Sequence, residues 1–165
     1  MSARFCPNCS GALAEQTPPD ESRPRLVCQA CGHIFYENPK IVVGAIALRE
    51  GRVVLIRRGI EPQRGKWGLP AGFLELGETL EAGAAREMQE ETGFEITVAR
   101  LLNVYSRVEA GVINVLYLAD VTSGQPSAAS HETIEVGQFL PDEIPWDELA
   151  FSTHRWALEE WLGHR

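Results

Sequence analysis

Three glutamates lie within little more than one turn of a predicted helix, at positions 87, 90 and 91 in the segment REMQEETG. Residues three and four apart share one helix face, so the three carboxylates fall within an arc of about 100°. Like charges at this spacing repel one another, and no lysine lies four residues away to relieve the repulsion. Two interpretations are open at this point: an acidic helix face in solvent, or a cluster of ligands for hard divalent cations such as Mg²⁺.

Cysteines make up a second set of residues that could bind a metal or react. The four of them, Cys6, Cys9, Cys28 and Cys31, form two C-x2-C pairs separated by 18 residues. A two-residue gap lets a tight turn direct both thiolates at one ion, and four thiolates complete the tetrahedral shell that zinc prefers. A filled shell leaves no open position for catalysis, so the pattern predicts a structural zinc ribbon in which Zn²⁺ replaces a hydrophobic core. A redox dithiol is the alternative. His33 is a possible competing ligand, but we interpret it as a surface histidine.

The composition limits the class of protein. The chain has 165 residues, of which 44% are hydrophobic and 23% charged, and this is typical of one globular domain with a small appendage. The net charge of −8 argues against binding to nucleic acid, because a phosphate backbone requires a basic surface. No apolar run is long enough for a membrane span and no signal peptide is apparent, so we expect a cytoplasmic protein without membrane contact.

The elements that must position these residues are typical of an α/β protein. Residues 1–37 are predicted to form the zinc ribbon, and residues 38–165 a larger domain. In the larger domain, β-branched residues predict strands over KIVVGAIAL, VVLIRR, EITVARLLNVYSRV and VINVLYLADV, with a shorter strand at IEVGQFL. A long glycine-rich loop precedes the glutamate helix. That helix is predicted to begin after Thr79 as N-cap and to end at Gly93, and a second helix closes the chain.

The spacing around the glutamates resembles the Nudix box, G-x5-E-x7-R-E-U-x-E-E-x-G-U, where U is a bulky apolar residue. Met88 and Phe94 fill the apolar positions. The fixed positions all match, at Gly72, Glu78, Arg86, Glu87, Glu90, Glu91 and Gly93. The ribbon, the segment NPKIVVGAIAL and the segment RRGIEPQRGKWGLPAGFLELGET further resemble the Nudix hydrolases that carry a zinc ribbon. Within that subgroup the chain is more similar to enzymes that split FAD and ADP-ribose than to NADH pyrophosphatases, because it lacks the S-Q-P-W-P-F-P element of the latter.

This resemblance implies an α/β/α sandwich with a mixed sheet, together with the small N-terminal ribbon. It also implies hydrolysis of the pyrophosphate bond of a nucleoside diphosphate linked to another group, with FAD or ADP-ribose as the expected substrate. The alternatives are a pyrophosphatase acting on NADH or NAD-type compounds, including capped RNA, and a non-catalytic module that senses nucleotides or binds protein. A homodimer is expected only by analogy with relatives.

The resemblance assigns roles within the box as well. It implies that the backbone carbonyl of Gly72 and three carboxylates bind one to three Mg²⁺ or Mn²⁺ ions. The three carboxylates are those of Glu87, Glu90 and Glu91. Arg86 and Glu78 would form an ion pair that orients these ligands, which is a frequent arrangement around metal sites. An acidic protein would then bind a polyanionic substrate because the cations accompany it.

The general base is expected either within the box or on a downstream loop. Glu132 and Glu135 are the downstream candidates, and Glu135 fits the family's late glutamate better. Two exposed loop carboxylates are the alternative, and the role of His131 is equally open.

Contacts with the substrate have only weak signals in the sequence. Arg57, Arg58 and Arg64 are candidates for phosphate contacts, whereas Trp67 and Tyr105 are candidates for stacking on a ring. The alternatives are surface solvation for the arginines and core or loop packing for the two aromatic residues.

Overall fold

The computed structural model describes residues 3–128 and 130–163. The chain divides into two compact units, Met1–Asn38 and Pro39–Arg165. Within the described ranges, no helix is long and apolar enough to cross a membrane.

The first unit is a small antiparallel sheet with the strand order β1-β2-β3. Its strands are β1 (Leu13–Gln16), β2 (Arg25–Cys28) and β3 (Ile34–Phe35). Two tight turns precede β1 and follow β2. In the first, the Ser10 N–H donates to the Cys6 carbonyl; in the second, the Gly32 N–H donates to the Cys28 carbonyl. Cys6 and Cys28 are the only buried residues among those described in this unit, so a hydrophobic core does not hold it together.

The second unit is built on a seven-stranded sheet whose main path has the order β10-β5-β4-β9-β8, with β6 paired to β5 and β7 paired to β4. The strands are β4 (Lys40–Arg49), β5 (Arg52–Arg58), β6 (Trp67–Gly68), β7 (Ala71–Phe73), β8 (Phe94–Arg107), β9 (Val112–Gly124) and β10 (Thr133–Phe139). Strands β4 and β9 run parallel and the other pairs antiparallel, so the sheet is mixed as predicted.

The two helices, α1 (Leu80–Thr92) and α2 (Ser152–Gly163), cover opposite faces of this sheet. Successive residues of a strand point to opposite faces, which separates the core into two layers. Ile46 of β4 packs with Leu158 of α2 in one layer. Val43 of the same strand packs with Met88 of α1 in the other. The predicted α/β/α sandwich is thereby confirmed.

Helix α1 has the two ends that the sequence predicts. The Thr79 hydroxyl accepts a hydrogen bond from the Ala82 N–H at 3.2 Å, which caps the N-terminus. Gly93 ends the helix in the left-handed conformation (φ 74°), and its N–H donates to the Gln89 carbonyl. Between these ends, Ala84 and Met88 are fully buried against the sheet.

Candidate active site and metal centres

The glutamates of α1 lie at one end of a cleft of about 820 Å³ in the second unit. Most of the predicted box residues line it, namely Gly72, Arg86, Glu87, Glu90 and Glu91. The remainder of the cleft is lined by the ends of β5 and β8, the start of β9, the loop before β10 and the first turn of α2. Local helix geometry and strand pairing together bring these separate segments to one place.

Strand β7 passes unusually close to two of the carboxylates. A Cβ added to Gly72 would lie 2.3 Å from the carboxylate atoms of Glu87, a distance that real atoms do not tolerate. Glycine is therefore required here by the space that Glu87 occupies. One residue earlier, the Ala71 N–H donates to Oε2 of Glu91 at 2.9 Å. The backbone of β7 thus lies directly against the acidic face of α1.

Arg86 is the central cation of the acidic cluster. It binds Glu78 at two points, with Nε to Oε2 at 3.0 Å and Nη2 to Oε1 at 2.7 Å. Its Nη1 atom also donates to Glu87 at 2.7 Å and to Glu90 at 3.2 Å. The hydrogen bonds from Arg86 hold the pKa of Glu78 down to about 2, so this glutamate stays ionised at neutral pH. The ion pair between Arg86 and Glu78 thereby fixes the guanidinium that holds the carboxylates of Glu87 and Glu90.

Two carboxylates of the cluster, Glu87 and Glu91, have a raised pKa. Glu91 is only 6% exposed, and burial raises its pKa to about 8, with the negative charge of Glu87 acting in the same direction. Burial also raises the pKa of Glu87, and the charges of Glu90 and Glu132 add to the effect. Buried carboxylates of this kind remain charged when a divalent cation accompanies them. Oxygen donors, together with space for a close backbone carbonyl, suit a hard ion such as Mg²⁺.

The structure distinguishes the two candidate bases. Glu132 lines the cleft, and its charge raises the pKa of both Glu87 and Glu91, so it faces the acidic end. Glu135 does not line the cleft; it lies opposite Arg57 on β5, with a distance of 3.6 Å between their charged atoms. A bulge between Thr133 and Glu135 shifts the register of β10. By position, Glu132 is therefore nearer to the acidic end than Glu135, and the identity of the base stays a prediction. His131 also lines the cleft.

Of the three arginines suggested for phosphate contacts, only Arg58 lines the cleft. Arg57 precedes it on β5, donates from Nε to the Gly65 carbonyl at 2.9 Å and pairs with Glu135. Consecutive strand residues point to opposite faces, which explains why one arginine lies in the cleft and the other does not. Arg64 is exposed and lies outside the cleft.

The two aromatic residues suggested for ring stacking do not line the cleft. Trp67 is 8% exposed and belongs to the core, where its ring meets the edge of Phe139 at 5.0 Å between centroids. These contacts agree with the packing alternative for Trp67. Tyr105 is half-buried, and its hydroxyl donates to Glu160 of α2 at 2.7 Å. Its ring is tilted against Trp156 of the same helix.

The cleft lining also includes residues that the sequence had not singled out, among them Arg107, Asn114, Phe151 and His154. Asn114 had a signal in the sequence, because it is a polar residue within the otherwise apolar segment VINVLYLA. The others come from strand and helix ends whose proximity has no local signature.

His154 is a buried, neutral member of this group. It is 5% exposed, and its Nδ1 atom accepts a hydrogen bond from the Leu69 N–H at 3.0 Å, so the remaining ring nitrogen carries the proton. Burial lowers its pKa to about 3, and the charges of Arg58 and Arg107 act in the same direction. His154 therefore does not add positive charge to the cleft at neutral pH.

The sulfur atoms of the four cysteines in the first unit converge on one point. All four lie within 4.8 Å of one another, with 3.8 Å between Cys6 and Cys31 and 3.5 Å between Cys9 and Cys28. These distances are too long for a disulfide bond and fit a tetrahedral shell with Zn–S bonds of about 2.3 Å. Nδ1 of His33 instead lies 3.2 Å from the Asn8 amide. In the described part of the chain, no other group of three or more metal-binding side chains converges in this way.

Comparisons with known proteins agree with both units. The NUDIX domain profile matches residues 38–162, and the profile of the Nudix N-terminal zinc ribbon matches residues 4–37. The crystal structure of a NUDIX hydrolase from Nitrosomonas europaea is similar with a TM-score of 0.92 and 38% identity, over 99% of this chain and 92% of that chain.

Two of the curated relatives illustrate the activities found among similar proteins. An ADP-ribose pyrophosphatase from Methanocaldococcus jannaschii is 37% identical over 132 residues, which is 78% of this chain and 76% of the relative. The NAD-capped RNA hydrolase NudC from Vibrio vulnificus is 30% identical over 144 residues, or 86% of this chain, and the match spans only 52% of that relative's length. Since the domain profile covers most of the chain, the protein belongs to the Nudix family, with the zinc ribbon of that family at its N-terminus.

Proposed function

We propose that this protein hydrolyses, with the help of divalent metal ions, the pyrophosphate bond of a nucleoside diphosphate linked to another group. The observation that carries the proposal is the buried acidic cluster at the end of the cleft, where Glu87 and Glu91 lie against β7 and Gly72 leaves room for them. A complete box in an accessible cleft argues against the alternative of a non-catalytic sensor, since a binding module does not need the full set of carboxylates.

In this proposal the carbonyl of Gly72 and the carboxylates of Glu87, Glu90 and Glu91 hold Mg²⁺ or Mn²⁺. When bound, the metal neutralises charge on the diphosphate and lowers the pKa of a bound water. Zn²⁺ has a separate, structural role in the ribbon, which we assign to residues 1–37, leaving residues 38–165 as the catalytic domain.

The chain's own side chains have distinct tasks. Arg86, held by Glu78, keeps two carboxylates in place and so acts as a positioning residue. Arg58 at the end of β5 meets a phosphate of the substrate, since its charge reaches Glu91 and the described part of the chain gives it no carboxylate partner within ion-pair distance. Glu132 accepts a proton from the attacking water, because it faces the acidic end of the cleft. Attack on phosphorus then proceeds in line with the leaving oxygen.

FAD and ADP-ribose are the first substrates to test. The similarity to an ADP-ribose pyrophosphatase over 78% of this chain supports ADP-ribose. The second candidate is NADH or an NAD-type compound, including an RNA cap, and it is supported by the similarity to an NAD-capped RNA hydrolase. A homodimer remains a prediction, which light scattering on the purified protein would test.

A substrate panel in Mg²⁺ or Mn²⁺ tests the proposal directly. It contains FAD, ADP-ribose, NADH, NAD⁺, diadenosine polyphosphates and nucleoside triphosphates, with EDTA as the metal-free arm. We expect hydrolysis of at least one nucleoside diphosphate conjugate that EDTA abolishes, and mass analysis in ¹⁸O-water identifies the phosphorus attacked. Cleavage of nucleoside triphosphates alone, or cleavage unaffected by EDTA, would contradict the proposal.

A further inference from the structure

The end of the cleft away from the glutamates is lined by hydrogen-bond donors. We call this end the distal subsite and define it by Arg107, Asn114 and the first turn of α2, at Thr153 and His154. The glutamate end is rich in hydrogen-bond acceptors, so one end of the cleft offers acceptors and the other end offers donors.

Asn114 has a buried donor without a partner. The residue is 6% exposed, it lines the cleft, and its Nδ2 atom has no hydrogen-bond partner among the described residues. Buried side-chain amides are seldom left in this state, because the lost hydration is not recovered. Asn114 pairs with Tyr105 across β8 and β9, and Arg107 lies two residues farther along β8. The side chains of Asn114 and Arg107 therefore point to the same face of the sheet.

Arg107 is a half-buried cation without a counter-charge. Its guanidinium lies 5.5 Å from the ring centroid of Phe151, and the guanidinium of Arg58 lies 5.0 Å from the same centroid. In the part of the chain that the structure describes, no carboxylate lies within ion-pair distance of Arg107. The aromatic ring holds the cation in place but does not neutralise it. An anion in the cleft would do so.

The two arginines serve different parts of the cleft. The charge of Arg58 acts on both Glu91 and His154, so Arg58 lies between the two ends. Arg107 lies on β8, and β7 with its glutamate contacts lies three strands away in the order β8-β9-β4-β7. At the usual strand spacing their backbones are about 14 Å apart, so Arg107 and the acidic cluster serve different parts of a substrate. The N-terminus of α2, a helix of 12 residues, adds a partial positive charge at this end.

We propose that Arg107 and Asn114 bind a phosphate group of the substrate that lies beyond the scissile diphosphate. The inference rests on the proposed function and narrows its substrate class to nucleoside diphosphate conjugates that carry a third phosphate. Arg107 supplies a charge-assisted hydrogen bond, and the Asn114 amide donates a second one. A neutral acceptor would satisfy Asn114 but would leave the charge of Arg107 uncompensated.

Matched substrate pairs that differ by one phosphate test the inference. The pairs are NADPH with NADH, which places the extra phosphate on the 2′ position, and coenzyme A with dephospho-coenzyme A, which places it on the 3′ position. We expect the protein to prefer the phosphorylated member of at least one pair by about tenfold or more in kcat/KM. Arg107→Gln should reduce that preference by about tenfold, and Asn114→Asp should reduce it further because a carboxylate repels phosphate. Arg100→Gln, on the exposed part of β8, is the matched control and should keep the preference.

Because each preference is a ratio within one preparation, partial misfolding of a variant does not change it. No preference in the unaltered protein, or an equal loss on both members of a pair in Arg107→Gln, would overturn the inference and leave the proposed function intact. A binding experiment covers the opposite case, in which the proposed hydrolysis fails but the distal subsite exists. Calorimetry with adenosine 2′,5′-bisphosphate, adenosine 3′,5′-bisphosphate and AMP requires no turnover. Tighter binding of a bisphosphate that depends on Arg107 would support the distal subsite even if no conjugate were hydrolysed, and equal binding of all three would count against it.

Discussion

The protein contains two candidate groups of metal ligands, and their side chains converge to different degrees. In the first unit, four thiol sulfurs lie within 4.8 Å of one another, so the shell for Zn²⁺ is already assembled. In the second unit, the glutamates are held by protein groups instead: Arg86 contacts Glu87 and Glu90, and the Ala71 N–H contacts Glu91. A filled shell suits a structural role, whereas carboxylates that face a cleft can share a metal with substrate.

This difference arises from how each group is built. The cysteines come from two tight turns, and each turn presents its pair without help from distant residues. The glutamates come from one helix, but their surroundings come from β7, the end of β5 and the loop before β10. A fault in a turn should therefore remove the first site locally, while the second site should respond to changes in several separate segments. Four predictions test this contrast.

The largest effect is expected on removing zinc. The first unit has almost no buried apolar side chains, so chelation should unfold it, with a loss on the order of the 10 kcal/mol or more that structural zinc supplies. The second unit has its own two-layer core and should remain folded. Zinc stoichiometry by elemental analysis and amide spectra of the full chain before and after chelation would check this. Retention of the ribbon signals without zinc would remove the contrast between the two units.

The next effect concerns Glu91, the most buried carboxylate of the cluster. Glu91→Gln keeps the hydrogen bond from Ala71 within reach of an amide oxygen but removes the charge. Because a bound metal supplies several kcal/mol of transition-state stabilisation, we expect kcat/KM to fall by about 10³-fold. Glu159→Gln, on the exposed face of α2, is the control and should retain activity. Unchanged metal-dependent hydrolysis in Glu91→Gln would show that the acidic cluster is not catalytic.

A smaller effect distinguishes Glu132 from Glu135. General-base catalysis contributes about 10²-fold or more, so Glu132→Gln should lower kcat by about that factor with little change in KM. Glu135→Gln should lower it much less, because Glu135 pairs with Arg57 outside the cleft. The ratio of the two kcat values measures how much the loop before β10 contributes to general-base catalysis. The reverse order would restore Glu135 as the candidate base.

The smallest effect is expected at Gly72. Gly72→Ala would place a Cβ 2.3 Å from the Glu87 carboxylate, which must then move. Displacing one ligand should lower metal affinity and activity by about 10-fold to 100-fold, in the range seen for groups that position metal ligands. Gly163→Ala meets no atom within 4 Å and is the matched control. Titration with Mn²⁺ by electron paramagnetic resonance would measure the affinity, and an unaltered affinity would mean that β7 does not shape the site.

The zinc ligands, the Nudix box and both ends of α1 were predictable from sequence alone. Each depends on short-range geometry: a two-residue turn for Cys6 and Cys9, helical spacing for Glu87 and Glu91, and a cap at Thr79. Such features involve residues only a few positions apart, so their spacing in the sequence carries the structural information. The mixed sheet also followed, through the family resemblance.

Tertiary structure decided which of the weaker candidates reach the cleft. Trp67, for which both stacking and packing were open, lies in the core, and Glu132 lines the cleft whereas Glu135 pairs with Arg57. Arg107 and Asn114 approach each other through the register of β8 and β9. Strand register, bulges and the docking of α2 depend on contacts between distant segments, and a shift of one residue reverses the face to which a side chain points. The sequence by itself therefore determined the family and the candidate metal ligands, while only the packed sheet and α2 determined the donor-lined distal end of the cleft.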